Sequence, residues 1–354
     1  MKDNWIFSKW FTTAMLTLVS LFFLAGCSQG TSSKPLYVLA GYDANGDGKI
    51  EQDIVGEEGQ AIYALLPDGD EVRLGRLTDP TTYLPDLYSL STDGKYLAFN
   101  TKPPADNAIG SYIYILDLVK GGAPVEIPYE ASLVEGMYWS HIGQSAADSS
   151  KMRLAVIGND TIGNAETLII TPQGVIERQV PSQTFLENEF QDYNPYASPD
   201  RTQRIWPKAV ENGYLLSKTG FLDSYQEDAP LLSDIPLNFI EWSPDSQRIL
   251  TLYRDPELLK QFDFMKEPHG ALFTLQADNG ELTPLTAGAG ASKIAAWSPD
   301  SRDIAYLTQL EDTDNDGIAD TELDAPVLYI LGPDGKAQRI DLGEKYQLGW
   351  GLDW

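Results

Sequence analysis

The sequence is poor in the residues that staple a fold, ligate through sulfur or run acid–base chemistry near neutrality. It holds one cysteine in 354 residues and two histidines, His141 and His269. A lone cysteine excludes an internal disulfide, so stability has to come from packing, whatever the redox potential outside. Basic residues are scarce as well: 25 Lys and Arg stand against 52 Asp and Glu, a formal net charge of -27. Without a basic stripe to displace counterions, nucleic acid is excluded as a partner class, and direct attraction to anionic lipid is disfavoured. Neither histidine has a nucleophile and a carboxylate arranged around it in sequence, and no G-x-S-x-G elbow occurs. The bland reading of the acidity is a solvated, soluble surface.

Long apolar runs are scarce too, with one exception at the start. Lys2 and Lys9 form a small basic region, and from Trp10 to Ala25 the chain is almost wholly apolar before it meets Gly26 and Cys27. That stretch is short for a spanning helix and has the build of an export signal. Leu24, Ala25, Gly26 and Cys27 spell a sequence that resembles the lipobox of bacterial lipoproteins. The resemblance implies cleavage after residue 26 and a diacylated Cys27, which would tether the chain to a membrane; a plain secretory signal with a chance cysteine is the alternative. The expected organisation is a signal peptide at 1–26, a lipidated anchor and short tether at 27–35, and one domain at 36–354. The tether spans at most roughly 30 Å when extended.

The body of the chain is repetitive. Trp242-Ser243-Pro244-Asp245-Ser246 is followed by Trp297-Ser298-Pro299-Asp300-Ser301, with weaker copies at Ser91-Thr92-Asp93-Gly94, Ala197-Ser198-Pro199-Asp200 and Trp139-Ser140. The serines recur about every fifty residues, a period typical of propeller blades. In each unit an apolar strand runs into the turn and a second strand leaves it. A third strand follows, such as Tyr112–Leu116 or Val327–Ile330, and a Gly turn such as Pro333-Asp334-Gly335 leads to a fourth. Four antiparallel strands make one blade. The Trp-Ser position explains Ser140 beside His141 without a nucleophile, and it predicts Trp139, Trp242 and Trp297 in the core between blades.

These units resemble the WD-repeat-like blades of TolB-type propellers and of the propellers beside prolyl-oligopeptidase-type hydrolases, over nearly all of residues 36–354. The resemblance implies an all-β, six-bladed β-propeller of four-stranded antiparallel blades. One blade is expected to be shared between the termini, because Leu348–Trp354 reads as the strand before a Trp-Ser turn and Ser32–Leu39 as the strand after one. Strands are hard to place around 200–235. A β-sandwich or an open solenoid also carries many short strands, but neither accounts for a motif divided in this way. The resemblance also implies a further amino-terminal domain; the stretch before Leu36 is expected to be too short for one, so that family's partners are not expected to transfer simply. The expected role is a monomeric envelope module that binds a protein or an extracellular ligand. The alternative is an extracytoplasmic lyase or glycoside hydrolase with carboxylates at the channel.

Two acidic loops carry the most specific local chemistry. Asp43, Asn45, Asp47, Lys49 through its carbonyl, Glu51 and Asp53 form the first; Asp312, Asp314, Asp316, Ile318 through its carbonyl, Asp320 and Asp324 form the second. Oxygens at alternate positions with a glycine at the sixth, Gly48 or Gly317, wrap a hard cation. Both segments resemble the DxDxDG loops of EF-hands, dockerins and thrombospondin type 3 repeats, which implies calcium in a structural role. They depart from an EF-hand at the twelfth position, Ile54 or Leu323. Two Asx-rich turns that bind nothing are the alternative. Three further features are less specific. Asp255–Phe262 reads as a short capped helix, a satellite packing element or a lid. Trp206 and Trp350 fall outside the repeat and are read as packing or as a ligand face. If the loops hold calcium, chelation lowers the melting temperature of the purified protein; an unchanged melt at millimolar calcium counts against both.

Overall fold

Alternating apolar strands joined by the Ser-x-Asp turns set the architecture. The computed structural model describes residues 34–44, 59–68, 71–83, 85–101, 110–140, 151–189, 193, 195–210, 213–220, 223, 228–233, 236–253, 271–287, 295–308, 326–343 and 345–354. The signal segment, Cys27, both histidines and the expected helix at 255–262 lie outside these residues, as do all twelve candidate calcium ligands except Asp43.

The strands in chain order are β1 (Leu36–Tyr42), β2 (Ala61–Asp68) and β3 (Glu71–Arg76); β4 (Pro85–Leu90), β5 (Tyr96–Thr101), β6 (Ser111–Asp117) and β7 (Val125–Ala131); and β8 (Leu133–Trp139), β9 (Leu154–Asn159), β10 (Ala165–Ile170) and β11 (Ile176–Pro181). After a short helix α1 (Ser182–Asn188) come β12 (Gln203–Val210) and β13 (Gly213–Gly220). The rest are β14 (Asn238–Trp242), β15 (Arg248–Tyr253), β16 (Ala271–Gln276), β17 (Leu282–Ala287), β18 (Ala295–Trp297), β19 (Ile304–Thr308), β20 (Val327–Leu331), β21 (Ala337–Ile340) and β22 (Tyr346–Asp353). Five antiparallel four-stranded sheets result: β22-β1-β2-β3, β4-β5-β6-β7, β8-β9-β10-β11, β14-β15-β16-β17 and β18-β19-β20-β21. This is a β-propeller, and its closing blade is built from both ends of the chain. β1 pairs with β22 in antiparallel register, Tyr37 opposite Asp353 and Tyr42 opposite Tyr346.

The expected six four-stranded blades are corrected to five. The sixth sheet is only the β12–β13 hairpin. Its inner side carries a single bridge, Ala197 to Arg204, and its outer side two, Ser217 to Leu231 and Tyr214 to Leu237. Proline accounts for the loss. Pro195 precedes the inner bridge, and Pro230 and Pro236 bracket the outer segment, where each lacks the N–H that a ladder strand must donate.

The Ser-x-Asp turns work the same way in four places. Ser243 donates to Asp245 at 2.5 Å and accepts the Arg248 N–H at 2.9 Å. Ser298 repeats this with Asp300 and the Asp303 N–H, Ser198 with Asp200 and the Gln203 N–H, and Ser91 with Asp93 and the Tyr96 N–H. Ser140, in the variant unit, accepts the Arg153 N–H at 2.8 Å. The fourth turn residue has left-handed backbone, at φ of 72° for Gly94, 58° for Arg201, 62° for Ser246 and 60° for Ser301, a conformation that costs a non-glycine residue roughly 1 kcal/mol. At two turns the serine there offsets this by reaching the previous unit. Ser246 accepts the Asp200 N–H at 3.0 Å, and Ser301 accepts the Asp245 N–H at 2.9 Å.

The core lies between neighbouring sheets, as flat blades with two apolar faces require. One cluster joins Ala98, Ile113 and Ile115 to Met137, Trp139 and Leu154; another joins Leu39 and Ile62 to Leu97 and Phe99. A third unites Leu252 and Leu272 with Trp297 and Leu307 and with Val38 and Tyr63. Trp139, Trp242 and Trp297 are buried, as their repeat positions predict. Trp206 is half-buried, with its indole N–H on Thr219 at 2.8 Å.

Replacing the fully buried Ser243 by Ala leaves the Arg248 N–H without its acceptor and takes from Asp245 the hydroxyl donor, while the Gln247 N–H still donates to it. The expected loss is ~1–3 kcal/mol, read as a lower denaturant midpoint with an unchanged slope; a loss within error would show that the turn holds its shape without the serine.

Candidate functional site

The inner strands of successive blades touch around the ring, β22 to β4, β4 to β8, β14 to β18 and β18 to β22. Equivalent inner-strand positions, one residue before the motif tryptophan or its counterpart, are held by Ser89, Tyr138, Tyr196, Glu241, Ala296 and Asp353. The ring is therefore uneven: two carboxyls flank the alanine of β18, and two tyrosines stand on the units opposite.

Both carboxyls are tied to backbone across a blade boundary. Glu241 on β14 accepts the N–H of Trp297 on β18. Asp353 on β22 accepts the N–H of Leu90 on β4 at 2.9 Å, and Tyr88 beside it donates its hydroxyl to the Tyr37 carbonyl at 3.1 Å. The indoles make the matching link in the other direction: Trp139 donates to the Ser89 carbonyl and Trp242 to the Tyr196 carbonyl, each at 3.0 Å. A carboxylate at this position is thus a clip between neighbouring inner strands.

Their environment favours the neutral form. Burial pushes the Glu241 carboxyl up to about 8, against the pull of the Trp297 N–H, and the charge of Asp353 adds to the rise. Burial raises Asp353 to about 6, opposed by the Leu90 and Trp354 N–H groups. Tyr37 is pushed up to about 12 and Tyr88 well above its ordinary value, by burial first and then by Asp353. No lysine or arginine contributes to either carboxyl's shift. Protein surrounds both groups, which keep only partial contact with solvent. The sequence motifs give no hint of this pair, because each acid stands alone in an apolar strand. Its signal is alternation: an acid immediately before a core tryptophan points to the axis.

The acidic loops are placed only through their anchors. The first joins β1 to β2 and the second β19 to β20, the second and third strands of adjacent blades. Asp43, at the root of the first, is buried, and its N–H donates to the Lys345 carbonyl at 2.8 Å. Among the described residues no cluster of three or more His, Cys, Asp or Glu side chains could hold a metal.

No protein-family profile and no curated protein sequence matches the chain. Its fold is similar to that of TolB from Acinetobacter baumannii, with a TM-score of 0.54 at 13% identity over 92% of this chain and 66% of that one. The chain thus spans just under two thirds of that protein's length. Weaker likenesses join it to a putative TolB from Agrobacterium tumefaciens (TM-score 0.47, 14% identity, 90% of this chain and 92% of that one) and to a chain of a nidogen–laminin complex (0.48, 10%, 90% and 97%). The class defined by fold is a β-propeller, similar in fold to that of TolB.

The clip has a pH signature. A carboxyl raised in the folded state gives stability that is fully present below its unfolded value, near 4.5 for glutamate, and is lost as pH rises through about 8. Glu241→Gln keeps the neutral, hydrogen-bonding shape at every pH. It is expected to leave stability unchanged at pH 5 and to raise it at pH 9 by ~2–4 kcal/mol. The variant difference separates the clip from general repulsion in an acidic chain, and an equal effect at both pH values would refute the assignment.

Proposed function

We propose that the protein is an envelope lipoprotein, anchored through a diacylated Cys27, whose TolB-like propeller serves as a protein-interaction or ligand-binding module stabilised by calcium in the loops at 43–53 and 312–324. The observation that carries the reading is the use made of the axial carboxyls. Glu241 and Asp353 are engaged in bonds between blades, so the centre of the ring acts as a rigid frame, and recognition falls to its surface and loops. The TolB likeness in fold supports a module of this kind. Anchoring rests on Leu24 to Cys27 and calcium on the two spaced acidic loops.

A second reading is favoured by one observation. Two neighbouring axial carboxyls with unequal proton affinities, about 8 and about 6, fall in the range that suits an acid and a base, which keeps a lyase or glycoside hydrolase in view. Turnover of a polysaccharide panel that is lost in both Glu241→Gln and Asp353→Asn, with melting preserved, would establish it in place of the module.

The anchor is tested directly. Cys27→Ala is expected to abolish palmitate labelling and move the protein from the membrane pellet to the soluble fraction. An unchanged distribution would remove the lipoprotein reading while leaving the propeller untouched.

A further inference from the structure

Turns and long connections fall on opposite rims of the propeller. In an antiparallel four-stranded blade, the turns between the first and second strands and between the third and fourth lie at one end, and the connection between the second and third lies at the other. The Ser-x-Asp turns therefore share a rim with the turns at 118–124, 171–175 and 332–336, while the acid-rich stretches 43–58 and 311–324 join strands at the other. Charge divides along the same line. Acids on the turn rim carry their own cations: Asp93 pairs with Lys95 at 2.9 Å, Asp117 with Lys120 at 3.3 Å, Asp334 with Lys336 at 3.6 Å and Asp245 with Arg248 at 3.8 Å. The stretches 43–58 and 311–324 hold a single cation between them, Lys49. Net charge disfavours contact with anionic lipid for the chain as a whole, but a large part of the acidic excess lies in those two stretches.

The turn rim is also where the chain enters the propeller. Lys34 opens the described domain, and its carbonyl accepts the Trp354 indole N–H at 3.2 Å. Its Nζ lies 3.7 Å from where a β-carbon on Gly94 would stand, in the Ser-x-Asp turn of the next blade. On that blade and the one after it, Val119 is 71% and Val175 59% exposed. Their turns are neighbours, since a β-carbon on Gly174 would come within 2.8 Å of Val125 Cγ1. Exposed valines flanked by Lys120 suit a headgroup layer, where the apolar tips leave water and the ammonium meets phosphate. From Cys27 to Leu36 there is at most roughly 30 Å of extended chain, so a lipid on Cys27 keeps the turn rim within reach of the bilayer. A seven-residue strand such as β1 separates the two rims by roughly 20 Å. With the turn rim down, the acid-rich stretches join the blades beyond the Debye length of about 8 Å over which an anionic surface acts. Turned over, the blades would press those stretches against it.

We propose that the turn rim rests on the bilayer that holds the Cys27 lipid, with Val119, Lys120, Val125 and Val175 in the headgroup layer and the rim of the acid-rich connections facing away. The inference rests on the lipoprotein reading and names the surface that the anchor brings to the membrane.

The test uses the lipidated protein reconstituted into vesicles of phosphatidylethanolamine with phosphatidylglycerol as the minor, anionic component. An environment-sensitive fluorophore is attached at Val119→Cys or Val175→Cys on the turn rim, or at Ile162→Cys in the β9–β10 turn of the other rim, where the side chain is 82% exposed. Acylation of Cys27 leaves each introduced thiol as the only free one. Flotation reports the anchor and melting curves confirm folding; either turn-rim site keeps the test decisive if the other variant unfolds. All labelled variants should float. Emission from the two turn-rim labels should shift to the blue and be mostly lost when the acyl chains carry bromine, whereas the label on the other rim should emit as it does in the unlipidated Cys27→Ala chain. Quenching on the other rim equal to that on the turn rim, or no quenching at any site in protein that floats, would overturn the proposal and leave the anchor standing. Failure to float would remove the lipoprotein reading and the membrane contact together.

Discussion

Between Leu36–Tyr42 and Tyr346–Asp353, backbone hydrogen bonds join strands more than three hundred residues apart in sequence, and the ring exists because of that ladder. A radial array of sheets has two sticky edges until its last inner strand finds a partner. Here β22 supplies the inner strand of a blade whose other three strands come from the opposite end of the chain. A register slip would turn every side chain of β22 over, so the register also places Asp353 toward the β4 blade and Trp354 in the core. A bulge between Val38 and Ala40 absorbs the irregularity. The cost is kinetic, since loop closure over most of the chain precedes the reward of the contact.

Around that closure the blades are held by bonds that cross their boundaries near the axis and at the turns. Indoles donate to the previous inner strand's carbonyl, carboxyls accept from the next inner strand's amide, and turn serines accept from the previous turn. A backbone amide at a blade boundary must find an acceptor or lose about 1–3 kcal/mol. Glutamate and aspartate provide one, but only by accepting a raised proton affinity. Ionised, the two would face each other across Ala296 with no counter-charge of their own, which is the usual difficulty of an unpaired buried charge. Burial thus holds both carboxyls above their ordinary values, Glu241 more than Asp353, the reverse of a surface carboxylate that draws stability from ionisation.

Much of this is written in the sequence in plain form. The Trp-Ser-Pro-Asp units mark turns whose hydrogen bonds are local, so they fold alike wherever they occur, and the divided motif at the two ends forecasts the closure. What fails is the inference from period to completeness. Ser198-Pro199-Asp200 keeps the turn, with the same serine bonds, yet Pro195, Pro230 and Pro236 leave its sheet as a hairpin with bridges on either side. The turn reports where a blade begins, while the number of strands depends on amides farther along. The axial pair was hidden for the opposite reason: Glu241 and Asp353 are single acids in apolar strands, and only the ring brings them near one another.

Chain topology also sorts the acidic surface. In every complete blade the second and third strands are joined at the same end, and the two aspartate-rich loops connect β1 to β2 and β19 to β20 there. The β9–β10 turn is the corresponding connection of another blade. These connections therefore leave and re-enter the sheets on one rim. The inner strands cannot vary without breaking bonds to a neighbouring blade, whereas these connections begin and end on paired strands and can lengthen at modest entropic cost. A scaffold so divided, with fixed hydrogen bonds at its axis and variable connections on one rim, has its freedom to change on that rim.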